Sequence, residues 1–191
     1  MMGRNDSMSN HSKARRQSLM MAFCGMAAGL SLVIMLMGGL IPIATYAVPM
    51  LCGLLLLPIL LEFGKTAAWT TFFAVAALAL MLDFDREAAF FYLFIGYYPI
   101  VKWQFDKIKS KGLRLLVKAL LFAVSMGVMY ALLYLFFPAL AVLQDFEEMG
   151  MILSILFLLA YVFCMLLYDH LLVGCVMIYA NRIRPKLKFL K

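Results

Sequence analysis

This sequence is poor in charge. Asp, Glu, Lys and Arg make up only 14% of its 191 residues, against about 25% in an ordinary globular domain. The chain is also 66% hydrophobic. One core of this size cannot hide that much apolar surface, because a small domain leaves much of itself in water. The mean hydropathy of +0.97 therefore excludes a soluble globule and a disordered chain alike. Cysteine is scarce too. Cys24, Cys52, Cys164 and Cys175 each lie within an apolar run, and no CxxC spacing occurs. That excludes a disulfide scaffold and reads the four as small buried hydrophobes, with no metal role. There is no HExxH, GxSxG, P-loop or Gly-rich dinucleotide turn, so the chain is not read as an enzyme and carries no expected cofactor. Gly, Ser and Pro never gather into a linker, and no internal repeat stands out. What is left is one all-α, polytopic integral membrane domain.

About 20 apolar residues cross the hydrocarbon of a bilayer as a helix. On that measure the chain reads as a basic tail over residues 1–17, a transmembrane domain over 18–180 and a second basic tail over 181–191. The expected spans are Ser18–Met37, Ile43–Leu61, Thr66–Leu82, Ala88–Val101, Leu113–Phe137 and Met151–Ala180. The second carries Pro49 and Pro58, tolerated where neighbours satisfy the freed carbonyls. The fourth is short and contains Gly96 and Pro99, so it is a short, tilted or partly re-entrant segment. Lys102–Arg114 is basic and interleaved with Trp103, Phe105 and Ile108, which predicts an interfacial amphipathic connector. Pro138 ends the fifth span, and a loop is expected around Asp145, Glu147 and Glu148. The last stretch is longer than one crossing needs.

About six transmembrane helices place both termini on one side, and the charges agree. Every basic residue except Arg86 then falls on the side of the two tails. Asp83, Asp85, Glu87, Asp145, Glu147 and Glu148 fall on the other. The positive-inside rule makes the basic side cytoplasmic, in a cell (plasma) membrane. It also accounts for the +7 net charge without a nucleic-acid partner; the expected surroundings are a lipid bilayer.

A few residues stand out against this apolar background. Asp169 lies inside the last span with His170 beside it. Ionisable groups in a bilayer are expensive and mark sites by default. Adjacent helical residues point about 100° apart, so the two cannot face one target. Any partner must come from another helix, and Lys118 is the nearest by depth. The competing reading puts the pair at the interface, where burial is cheap. Ala22, Gly25, Ala28 and Gly29 are a small-residue set on the first span, suited to close helix approach to a partner or to the chain's own helices. Pro42, Tyr46, Tyr92, Tyr130 and Tyr134 gather at the expected outer half with Asp83, Asp85, Arg86 and Glu87, an aromatic and charged cluster that reads either as a solute site or as interfacial anchors. The sixteen Met residues lack paired spacing with Cys or His and read as core filling, not as a metal site.

With six expected helices, a basic N-terminal tail and a small-residue first helix, the chain resembles the substrate-binding S components of energy-coupling factor (ECF) transporters. A Gly38-Gly39-Leu40-Ile41-Pro42 loop and a Pro-containing second helix ending Glu62-Phe63-Gly64 add to the likeness. The resemblance implies a subunit that captures a vitamin, metal ion or other micronutrient from outside. Its implied partners are a transmembrane coupling protein and two ATPase subunits, which would hold any ATPase activity. It implies docking through Ala22, Gly25, Ala28 and Gly29, although a strict AxxxA is absent. It also implies a solute near Ile41, Pro42, Tyr46, Tyr92, Tyr130 and Tyr134. A non-transport membrane scaffold and a small enzyme using Asp169 and His170 are the alternatives.

Overall fold

An apolar chain with no water to bond has to satisfy its backbone internally, and a helix does so within one segment. The computed structural model is 94% helix, with no strand among the described residues. Those residues are 3–38, 44–82, 86–136 and 141–184; the side chains of 3–13, 44, 141–152 and 183 lie outside the description. The helices are α1 (Gly3–Gly38), α2 (Ala44–Phe63), α3 (Lys65–Leu82), α4 (Arg86–Ile95), α5 (Tyr98–Phe105), α6 (Lys111–Phe136) and α7 (Ala141–Ile178), followed by a π-helical turn at Tyr179–Ile183. Among the described residues, five stretches are long and apolar enough to cross a membrane: Ala14–Gly38, Thr45–Phe63, Lys65–Leu82, Lys111–Phe136 and Leu153–Arg182.

α2, α4 and α5 form the middle of the bundle. On one side α1 and α3 close over Met35, Cys52, Leu56, Phe72, Val75 and Tyr92. On the other α6 and α7 close over Phe91, Tyr98, Phe122, Met129, Met165 and Leu172. The outward faces stay apolar: Leu116, Leu120 and Leu135 on α6 and Leu159, Phe163 and Leu171 on α7 are all exposed. Exposed leucines on this scale suit lipid and not water. All four cysteines are free, and Cys52 is fully buried.

Three boundaries differ from those expected. The first helix begins at Gly3, within the supposed tail, because the polar residues there include no proline and nothing stops the helix. The expected loop around Asp145, Glu147 and Glu148 is helical, since charge alone does not break a helix and residues 141–149 contain no glycine or proline. α7 consequently runs for 38 residues, about 57 Å at the helical rise and well beyond one crossing.

The third difference matters for the site. The short fourth span is two helices, α4 and α5, broken at Gly96–Tyr97. Pro99 near the start of α5 supplies no N–H, and a first-turn position needs none. The Gly96 N–H bonds the Tyr92 carbonyl at 2.7 Å, and a Cβ added at Gly96 would lie 2.7 Å from both that oxygen and the Tyr92 ring. Only glycine fits this close approach. A second glycine, Gly64 at φ +87°, makes the sharp turn between α2 and α3.

Candidate functional site

Two polar clusters interrupt the apolar interior, one toward each end of the bundle. The first is built on α5. Tyr98, Lys102 and Asp106 follow at helical i, i+4, i+8 spacing, so they form one stripe. Tyr98 donates to Asp169 Oδ1 at 2.5 Å. Lys102 Nζ is ion-paired with the same oxygen and bonds the Asp169 carbonyl at 3.0 Å. From α6, Lys118 Nζ reaches Asp169 Oδ2 at 2.8 Å and Asp106 Oδ1 at 2.7 Å. Lys102 also lies 3.6 Å from Asp106 Oδ2. Both lysines are buried, at 6% and 3% exposure. Two cations and two anions therefore balance, and they tie α5, α6 and α7 together.

This corrects the interfacial connector expected over Lys102–Arg114. α5 carries Lys102 inward as far as Asp169, while Trp103, Gln104, Lys107, Lys109, Ser110, Lys111, Gly112 and Leu113 are exposed. The spacing of Tyr98, Lys102 and Asp106 was a legible signal, but a basic run masked it. Lys118 is indeed a partner of Asp169. His170 turns outward, as adjacent positions on one helix must; no Asp-His pair faces a common target.

The second cluster lies at the other end. Tyr46, in the first turn of α2, donates to Glu87 Oε1 at 2.6 Å. Tyr130 of α6 donates to the same oxygen at 2.7 Å. The two phenol oxygens lie 2.8 Å apart. Glu87 is only 7% exposed. Its place in the first turn of α4 puts its charge at the favourable end of the helix dipole. Aromatic rings complete the surroundings. Tyr46 meets Phe91 edge-on at 5.3 Å and Phe157 at 6.0 Å, and Phe91 meets Tyr161 at 5.9 Å. The Tyr161 hydroxyl is buried without a hydrogen-bond partner.

Comparison of the chain with family models, curated proteins and solved structures finds no match. The site therefore rests on its own geometry.

Of the tyrosines singled out in sequence, Tyr46 and Tyr130 meet at Glu87. Tyr92 packs instead on Phe72 in the α1–α3 half of the core, its hydroxyl also buried and unpartnered. Tyr134 is 60% exposed and takes no part. Ile41 and Pro42 lie outside the described residues. Glu87 stood beside these tyrosines in the sequence reading, and the structure buries it against Tyr46 and Tyr130; Phe91 and Phe157 were missed, because nothing in sequence separates them from core filling. On α1, Ala28 packs partly against the core, while Ala22, Gly25 and Gly29 face outward, and a Cβ at either glycine meets nothing within 4 Å. The chain's own helices leave that face uncovered. No group of three or more metal-ligating side chains occurs among the described residues.

Proposed function

We propose that this chain is the substrate-capture subunit of an ATP-driven importer for a small solute, embedded in the cell membrane with both termini in the cytoplasm. The broken pair α4–α5 makes the sixth crossing, and the Glu87 end faces outward. The solute enters at Glu87, Tyr46 and Tyr130. The observation that carries this reading is the Glu87 cluster: a buried carboxylate under one end of an apolar bundle, met by phenols from two other helices. An ionisable group inside a membrane is a functional-site candidate by default, and here its hydrogen-bond partners are neutral phenols.

The uncovered Ala22, Gly25 and Gly29 face of α1 gives the coupling protein and its two ATPases a place to dock. The same face favours a second reading, a non-transport scaffold that recruits partners and moves nothing. Affinity purification from native membranes followed by uptake in proteoliposomes separates the two. The importer reading expects a coupling protein, two ATPases and ATP-dependent accumulation of a solute. It also expects Gly29→Leu to break assembly while solute binding by the isolated subunit persists, because a side chain begun at Gly29 meets nothing of the bundle within 4 Å. Partners without nucleotide-binding subunits, and no uptake, would leave the scaffold.

A further inference from the structure

We propose that the Glu87 cluster takes a small organic cation, a protonated or quaternary amine, and not a metal ion. The inference deepens the capture reading above and rests on it.

The helix dipole explains why α4 tolerates a carboxylate in its first turn. It does not explain why Tyr46 and Tyr130, distant in sequence, converge on one oxygen of that carboxylate. Two phenols orient the group and leave its negative charge in place, because a phenol donates a hydrogen bond and carries no charge of its own. Next to it lie aromatic rings: Tyr46, itself bonded to the carboxylate, meets Phe91 and Phe157 edge-on, with centroids 5.3 and 6.0 Å apart. A carboxylate among aromatic rings is the chemistry that binds a weakly hydrated ammonium, through ion pairing and cation–π attraction together. Hard metal ions need several oxygen ligands and a rigid shell. One carboxylate and two neutral phenols do not supply that, and no three-ligand group occurs among the described residues.

Arg86, the neighbouring cation on α4, is exposed, whereas Glu87 is turned into the bundle. Beyond Phe91, the buried Tyr161 hydroxyl lacks a partner. A buried unpaired hydroxyl is costly, and a polar group on the solute would relieve it. The class is thus a small molecule with one positive nitrogen and a hydrogen-bonding group.

The test uses the full-length protein in nanodiscs, with tetramethylammonium and benzylammonium as cationic probes and benzyl alcohol and benzoate as neutral and anionic counterparts. Calorimetry and thermal shift read binding. Saturable binding of the cations alone is expected, weakened about tenfold or more by Glu87→Gln. Phe157→Leu should weaken tetramethylammonium less, and Cys164→Ala, at an exposed position, should bind as wild type. Should Glu87→Gln not fold, Phe157→Leu and Tyr130→Phe carry the test. Equal binding of benzyl alcohol, or cation binding indifferent to these substitutions, would overturn the assignment. ATP-dependent uptake of an anionic or neutral solute would sink the cation class while leaving the importer standing. Cation binding with no partner and no uptake would support the site and sink the importer.

Discussion

The two polar clusters hold a carboxylate in opposite ways. Asp169 is met by two lysines and a phenol, and Asp106 completes a neutral set of four charges. Glu87 is met by two phenols among phenyl rings. The first arrangement spends its charge internally and fastens three helices; the second keeps its charge and fastens three helices by neutral donors. Burial of ionisable groups alone therefore does not identify a site in this molecule. What distinguishes them is whether the neighbours already cancel the charge.

The largest expected effect comes from breaking the balanced set. Asp169→Ala leaves Lys102 and Lys118 buried with Asp106 as their remaining anion. Removing one member of a buried charge network typically costs about 3–5 kcal/mol. Denaturant titration in mixed micelles should show it as a large loss of stability. Adding Lys118→Met to Asp169→Leu should recover much of the loss, since well-packed apolar residues can replace a buried pair without penalty. A double variant as unstable as the single one would show that the network is not acting through charge.

Next in size is the link between the clusters. Glu87 and Lys102 lie on α4 and α5, so the break at Gly96–Tyr97 fixes where each points. Gly96→Ala places a methyl group 2.7 Å from the Tyr92 carbonyl, which must move. Overpacking of this kind costs about 1–3 kcal/mol. Cysteine accessibility at both ends should change together. If only the Glu87 end responds, the break is not a shared pivot.

How much of this was legible beforehand follows the same contrast. Five of the six expected spans lie on described helices long and apolar enough to cross a membrane, and long apolar runs are local features any reading finds. The Asp169–Lys118 pairing was also within reach, because both are ions at matching depth inside apolar spans. Lys102 was misplaced, since its neighbours Lys107, Lys109 and Lys111 are exposed and composition averages over them. Whether a lysine in a basic run turns inward depends on the register of α5, set by a break at Gly96 that periodicity does not reveal. Glu87 was legible as a neighbour of Tyr46 and Tyr130 at the outer half, but not its inward turn onto them: those partners come from distant helices, and no local pattern announces the contact.

A smaller effect sharpens the comparison from the other side. Glu87→Gln keeps an oxygen that accepts from Tyr46 and Tyr130 and removes only the charge. Unliganded stability should change by less than about 1 kcal/mol, against the several expected at Asp169. A loss as large as that of Asp169→Ala would mean that both carboxylates are structural ions of one kind.

The smallest expected effect, and the one whose sign carries the most information, is at Tyr161. Its ring packs on Phe91, but its hydroxyl is buried with no partner. Tyr161→Phe removes that hydroxyl and keeps the ring, so the unliganded protein should hold its stability or gain up to about 1 kcal/mol. Matched melting curves of the two proteins, with and without a bound amine carrying a hydroxyl, would read both states. The expected pattern is a crossing: the variant melts at or above wild type when empty and below it when loaded. A variant less stable than wild type in both states would mean the hydroxyl is already satisfied within the empty bundle, and the Glu87 end would then be as internally complete as the Asp169 end.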